Sequence, residues 1–368
     1  MARHKKPLPT WAHNPIYWGT RAAAAAVNIA GPEPSMRFLR GLGGFVASLP
    51  MNSRRLNRAV ENIAWCFPEW DRALVRDYAI EAYRHLFCLA AELVLAPRVL
   101  NEDGFARHVE LGRLKKGLRA LASDRPCILI TGHCGNWELL GATLAMLGFP
   151  MHALYRPLDL APLDAWLHET RSRQGILLVD KFGAAHVLPS LLDQRQPVGF
   201  IADQNAGDRG VFVPFFNRLA STYKTIGLLA IRFNATILCG HAMRLSGLTA
   251  DTAANPVRPP SREARESQSF RYRVDVIDHF GPDDWVDQPD PLFYITARYR
   301  RAIEQMVRRA PEQYLWMHRY WKSRPPHESR GKPFPAQLRE KIASLPWIDD
   351  DDVEQIVDRS NRDAAATP

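Results

Sequence analysis

Short apolar runs alternate along this chain with longer stretches in which apolar residues return every three or four positions. The runs Pro126–Thr131, Met151–Tyr155, Ile176–Val179, Pro197–Ala202 and Ala235–His241 are four to seven residues long and read as buried strands. Between and after them, Ala161–Gln174, Ala184–Gln194, Thr222–Phe233 and the basic Pro291–Ala310 carry a helical period, and Gly112–Ala122 reads as a short basic helix before the first central strand. Upstream, residues 53–66 and 71–97 read as helices, the second with Leu86, Leu89, Leu93 and Val94 on one face. Arg271–Ile277 alternates like an edge strand. The pattern predicts an α/β fold: a mostly parallel or mixed central sheet flanked by helices on both faces.

The same patterning divides the chain. Residues 51–330 form the α/β domain, interrupted by a polar, proline-containing insertion at 246–269 that reads as a mobile loop. Residues 331–368 are acidic and read as a poorly ordered tail, whose Asp349–Asp352 run is a solvated acidic stretch rather than a cation site. Residues 1–50 read as a basic, membrane-associating segment. No stretch of about 18 uninterrupted apolar residues is present. The best spanning candidate, Ile16–Ala30, contains Arg21 and Asn28 and ends before Pro32 and Pro34. Met36–Leu49 mixes Arg37 and Arg40 with Phe38, Leu39, Leu42, Phe45 and Val46, which fits a helix lying on a bilayer or one packed on the domain itself. No A-x-A-like site follows a clean apolar core, so the start is a poor secretory signal.

Charge sharpens this division. The formal net charge is +9, and residues 1–60 supply nearly all of it, with nine Lys/Arg against Glu33 alone. The interleaved apolar residues favour an anionic membrane surface over nucleic acid, for which the chain has no recognised fold or aromatic platform. Five cysteines (Cys66, Cys88, Cys127, Cys134 and Cys239) lack metal-type spacing and read as reduced thiols of a cytoplasmic compartment.

The chemistry-bearing block is His133-Cys134-Gly135-Asn136-Trp137-Glu138, where a strand pattern gives way to a helical one. Residues five apart on one helix point about 140° away from each other, so His133 and Glu138 meet only if the chain turns between them. Gly135 permits that turn, and Asn136 is a good N-cap for the following helix. A carboxylate beside an imidazole fixes its tautomer and raises its basicity, which is a triad without its serine. A base with no nucleophile of its own suggests that the substrate brings the hydroxyl. The bland alternative is an ordinary His/Glu surface or core pair. Cys134 is adjacent to His133, but neighbouring residues project apart, which disfavours a thiol nucleophile. Sites in open α/β sheets gather beyond the carboxyl ends of strands, where His133, Tyr155-Arg156 and Asp203-Gln204 all fall. Arg156 and Arg171 are candidate phosphate ligands, and Arg173 reads as a surface charge. Asp203 could orient an arginine or a substrate hydroxyl, or hold its own loop together.

The His133–Glu138 block resembles the H-x4-[DE] motif of glycerolipid acyltransferases, and in its HxGNWE form the late (lauroyl and myristoyl) acyltransferases of lipid A biosynthesis. Asn57–Glu69 with its Cys66-Phe67-Pro68-Glu69, Tyr155-Arg156-Pro157, Asp203–Gly207, Gly210–Phe216 and Pro311–Arg319 follow in that family's order, so the resemblance spans roughly residues 50–325. The chain departs from the family in lacking a convincing apolar anchor helix and in carrying Asn217-Arg218 where a glycine usually follows the double Phe. The resemblance implies a glycerolipid acyltransferase-like fold on the cytoplasmic face of the bacterial inner membrane, peripheral or monotopic. It implies transfer of a fatty acyl chain from acyl carrier protein to a hydroxyl of an anionic glycolipid such as a lipid A precursor.

The expected mechanism has His133, oriented by Glu138, deprotonating the acceptor hydroxyl, which attacks the acyl thioester. Amides at the start of the Asn136 helix or a nearby cation would steady the oxyanion. Asn136, Trp137, Arg156, Arg171, Asp203 and Gln204 are expected to contact substrate, with no metal and no cofactor. The alternatives are a different lipid acceptor (a lysophospholipid or phosphoinositide mannoside), a thioesterase, or a non-catalytic lipid-binding relative.

Overall fold

A seven-stranded sheet runs β1 (Val109–Leu111), β9 (Tyr272–Phe280), β8 (Thr236–Arg244), β2 (Cys127–Thr131), β5 (Val198–Ile201), β3 (Met151–Tyr155), β4 (Ile176–Asp180) from edge to edge. Every pair is parallel except β8–β9. The computed structural model describes residues 10–245 and 270–365, so the insertion at 246–269 and the basic Arg3, Lys5 and Lys6 lie outside the described residues. The five apolar runs are all strands of this sheet, and the mixed, mostly parallel sheet expected from the sequence is what the chain forms. Alternation along β2 sorts its side chains between two cores. Ile128 and Ile130 pack with Tyr299 and Ile303 of the Pro291–Arg309 helix, whereas Leu129 packs with Leu144, Met151 and Leu238 on the other face.

Two expectations are corrected and one departure from the family pattern is explained. Arg271–Ile277 is no edge strand: β9 lies between β8 and β1, and the edge is the three-residue β1, too short for any alternation to show. The double-Phe block forms a hairpin of β6 (Val211–Phe215) and β7 (Arg218–Thr222), whose two-residue turn puts Phe216 and Asn217 at φ 52° and 51°. Asparagine tolerates that left-handed conformation, so Asn217 serves where a glycine would. The acidic tail is ordered: Ala336–Ala343 and Asp350–Ala365 are helices. Val353, Ile356, Val357, Ser360 and Ala364 bury one face of the second, and the Asp349 carboxylate accepts a hydrogen bond from the Asp352 amide at 2.8 Å. The acid run therefore caps a helix whose amino end favours negative charge.

The N-terminal part is helical throughout: α1 (His13–Ala30), α2 (Pro32–Ser48), α3 (Ser53–Cys66) and α4 (Arg72–Val99). None of the described helices is long and apolar enough to cross a membrane. α2 lies on α4 so closely that a Cβ at Gly43 would come within 2.8 Å of the Tyr83 carbonyl oxygen, and Arg40 and Arg84 pair with Glu81 beside that contact. The outward faces leave Trp11, Trp18, Ile29, Phe38, Phe45 and Met51 exposed.

Candidate active site

The site begins where β2 and β5 end. Thr131 pairs with Ile201 across these parallel neighbours, and the Ala202 amide donates to the Thr131 carbonyl at 2.9 Å, so His133 and Asp203 emerge side by side. His133 Nδ1 lies 2.7 Å from Asp203 Oδ1. Asp203 is fully buried. Burial alone would raise its carboxyl, but the imidazole, its hydrogen bond and the buried Arg300 guanidinium hold it down at about 2. An ionised carboxylate only accepts, so Nδ1 carries a proton, and in the neutral ring the lone pair is on Nε2. Nε2 faces the Gln204 amide nitrogen at 3.4 Å, which in turn lies 3.1 Å from Nε2 of His318. Burial, then His133, lowers the pKa of His318, so that ring too is an acceptor at neutral pH. Arg300 Nη1 donates to the Asp203 carbonyl at 2.5 Å and its guanidinium stacks 3.8 Å over Phe215.

The expectation that Glu138 orients His133 is therefore corrected. Glu138 sits in the first turn of α7 (Trp137–Met146), and Arg171, on α8 (Ala161–Ser172), donates to it bidentately at 2.9 and 2.6 Å. Trp137 Nε1 adds a third bond at 3.2 Å. Arg171 lines the cavity described below, but its fork is taken by this carboxylate. Arg173, which caps the end of α8, pairs with Glu169 of that helix at the surface, as its sequence position suggests.

The turn that presents His133 is wedged between three elements. Gly135 has φ +64°, and a Cβ there would meet the Ala242 carbonyl oxygen at 2.1 Å, so only glycine fits. The Gly135 amide donates to the Gln313 carbonyl and the Asn136 amide to that of Ala242, at 2.9 and 2.7 Å, while His85 of α4 donates from Nε2 to the Gly135 carbonyl at 3.1 Å. Asn136 is not the substrate ligand expected of it. Its Oδ1 caps α7 by accepting from the Leu139 amide, and its Nδ2 donates to Glu92 at 2.7 Å, with Arg244 on the other oxygen of that buried acid. Asn136→Ala should lower stability by about 0.5–2 kcal/mol for the cap and by roughly 1–3 kcal/mol more for the stranded Glu92 oxygen. Thermal unfolding measures this loss, and an unchanged melting temperature would contradict it.

His133 opens onto a cavity of about 750 Å³. Leu86, Leu89 and Leu93 of α4, Leu140 and Leu144 of α7 and Leu129 of β2 form much of its apolar wall. Trp137 packs edge-on to His133 with ring centroids 4.9 Å apart, and Glu138, Arg156, Arg171 and Gln204 also line the space. Arg156, at the end of β3, is exposed and has no ion pair among the described residues. Asp203 lies behind His133 rather than on the wall. Burial pushes the Cys134 thiol well up and its Sγ faces Met306 Sδ, so it is no nucleophile. Sequence reasoning missed His85, Glu92, Arg244, Arg300 and Gln313. Glu92, an acid amid Leu89, Leu93 and Val94 on an apolar helix, was the one legible signal.

The sequence pattern of bacterial lipid A biosynthesis acyltransferases matches residues 8–323. The chain belongs to that family. It is accordingly an acyltransferase, similar to the lipid A biosynthesis palmitoleoyltransferase of Escherichia coli (strain K12), with 26% identity over 301 residues covering 81% of this chain and 88% of that one. The lauroyltransferase of the same organism is 24% identical over 316 residues, covering 85% and 94%. Its myristoyltransferase is 25% identical over 330 residues, covering 86% and 90%. This member of the lipid A acyltransferase family thus keeps the His133–Glu138 block but sets a different carboxylate on the imidazole.

Proposed function

We propose that the protein transfers a fatty acyl chain from a thioester on acyl carrier protein to a hydroxyl of an anionic glycolipid of the lipid A precursor type, with His133 as general base oriented by Asp203. The observation that carries this is a single geometry: His133 faces an apolar cavity, while its Nδ1 lies 2.7 Å from a buried carboxylate. The acceptor hydroxyl takes the place of the Gln204 amide at Nε2 and gives up its proton. Its oxygen attacks the thioester carbonyl, and the C–S bond breaks as His133 returns the proton to the leaving thiolate. The Gly135 and Asn136 amides are already donated, so the first-turn amides of α7, at Trp137 and Glu138, are the backbone donors left for the oxyanion. Glu138 acts through Arg171, fixing the cavity wall beside the reacting atoms. The exposed apolar residues of α1 and α2 support peripheral or monotopic attachment to the cytoplasmic face of the inner membrane.

Purified protein given radiolabelled acyl carrier protein and a phosphorylated disaccharide lipid should form an acylated lipid, read by mass spectrometry. Free fatty acid without lipid product would identify a hydrolase instead. Product length offers a second reading of the cavity. Leu129, Ile130, Leu140 and Leu144 separate it from a smaller void of about 30 Å³ beneath α6 (Lys115–Leu121). Leu144→Ala should join the two spaces and shift preference to longer acyl chains, on the order of 10-fold per added methylene, while costing roughly 2–5 kcal/mol of stability. Unchanged selectivity in a folded variant would show that the chain does not run along this wall.

A further inference from the structure

A group of arginines close to His318 pairs with no carboxylate among the described residues. Arg54, Arg55 and Arg58 lie on one face of α3, at spacings of three and four residues. Arg54 stands about 6 Å along the helix axis from Arg58, at 1.5 Å per residue. The next turn of that face carries Asn62, whose side chain donates to the carbonyls of Trp316 and His318 at 2.7 and 2.9 Å. Arg58 donates to the carbonyl of Met317 between them at 3.1 Å. Arg319 follows directly, and His318 reaches His133 through the Gln204 amide with ring centroids 5.6 Å apart. Like charges have been gathered here. Burial first, then Arg319 and Arg54, lower the Arg58 guanidinium, against the opposing pull of Glu61. Holding four like charges in one strip costs stability in the free protein, and an anionic ligand would offset that cost.

We propose that Arg54, Arg55, Arg58 and Arg319 form a subsite for a phosphate group carried by a substrate. The guanidinium fork matches phosphate oxygens bidentately, which the choice of arginine at all four positions favours. The nearness of His318 to His133 means that the group held there belongs to a molecule whose hydroxyl or thioester reacts. It is therefore either a phosphate of the glycolipid acceptor or the phosphate of the pantetheine arm of the donor. The inference rests on the acyl-transfer reading for the identity of those molecules, but the subsite itself can be read without turnover. Arg171, otherwise the natural phosphate ligand in the cavity, is held by Glu138, which leaves Arg156 on the cavity wall as a second contact.

The test uses the full chain with Arg54→Ala, Arg55→Ala and Arg319→Ala, singly and together, and with Arg54→Lys, which keeps charge but loses the fork. Arg58 is left in place because it also holds the Met317 carbonyl. Each alanine should raise the KM of the phosphate-bearing substrate on the order of ten-fold, with kcat changed far less. If the defect vanishes with a dephosphorylated acceptor, the acceptor is the source. If it vanishes with acyl-pantetheine lacking its phosphate, the donor is. Binding of inorganic phosphate, followed by shifts in the arginine side-chain NMR resonances, should weaken in the triple variant whether or not turnover is seen. Equal phosphate binding by wild type and triple variant overturns the proposal. So does a defect that is the same for phosphorylated and dephosphorylated substrates and parallels lost binding to anionic phospholipid vesicles. Failure of the wild type to acylate any acceptor, with phosphate binding intact, sinks the proposed reaction but not the subsite.

Discussion

Replacing His133 with alanine is expected to reduce acyl transfer on the order of 10²–10⁴-fold, the usual worth of a positioned general base. The ring lies at the cavity wall and not in the hydrophobic core, and its carbonyl, which accepts from the Leu315 amide at 3.1 Å, is untouched by the substitution. The variant should therefore fold, bind substrate and fail at the chemical step, so that kcat falls and KM moves little. Burst experiments with a single turnover of labelled donor measure that step directly. Transfer at the wild-type rate by the purified variant would remove His133 from the mechanism.

Asp203→Asn should be nearly as damaging, and it separates two readings of the site. The carboxylate forces the proton of His133 onto Nδ1 because an ionised acid can only accept. An asparagine amide can donate, which favours the tautomer with Nε2 protonated and leaves no lone pair for the acceptor hydroxyl. A loss on the order of 10²–10⁴-fold in kcat follows. Glu138→Gln, by contrast, leaves the imidazole pair intact and weakens the Arg171 contact, so its effect should fall on substrate binding. If Asp203→Asn kept full activity while Glu138→Gln lost the pH dependence of the base, the roles assigned here would be exchanged. There is also a stability consequence. The folded carboxyl is depressed to about 2, below its ordinary value, so its contribution is complete above roughly pH 4 and fades as pH falls through 2. Asp203→Asn should flatten that part of an acid-unfolding curve.

The contrast between Asp203 and Glu138 shows where the sequence could be read and where it could not. The five apolar runs named the strands of the sheet other than β1 and β9, within a residue at each end except that β8 runs on to Arg244, because burial on both faces leaves little else that such runs can be. The convergence of His133, Arg156 and Asp203-Gln204 followed from their places after those strands. The choice of partner for His133 was not legible. Five residues of separation made Glu138 look near, whereas the contact with Asp203, seventy residues on, depends on β2 and β5 being neighbours in register. The ordered C-terminal helix was missed because its charge masked an apolar stripe at Val353, Ile356, Val357 and Ala364. β1 was missed for a different reason: it has only three residues, and its strand state comes from pairing with β9.

One helix meets both ends of the molecule's task. α4 packs against α2 where Tyr83 and Arg84 meet Gly43, and His85, immediately after them, and Glu92, about two turns further along, grip the loop that carries the imidazole. A protein resting on a bilayer by its first two helices would therefore hold its reacting nitrogen at a fixed height above the lipid plane, set by a stiff rod and not by a tether. Acceptors whose hydroxyl floats at another depth would be passed over, which makes the geometry of attachment itself a filter on what is acylated.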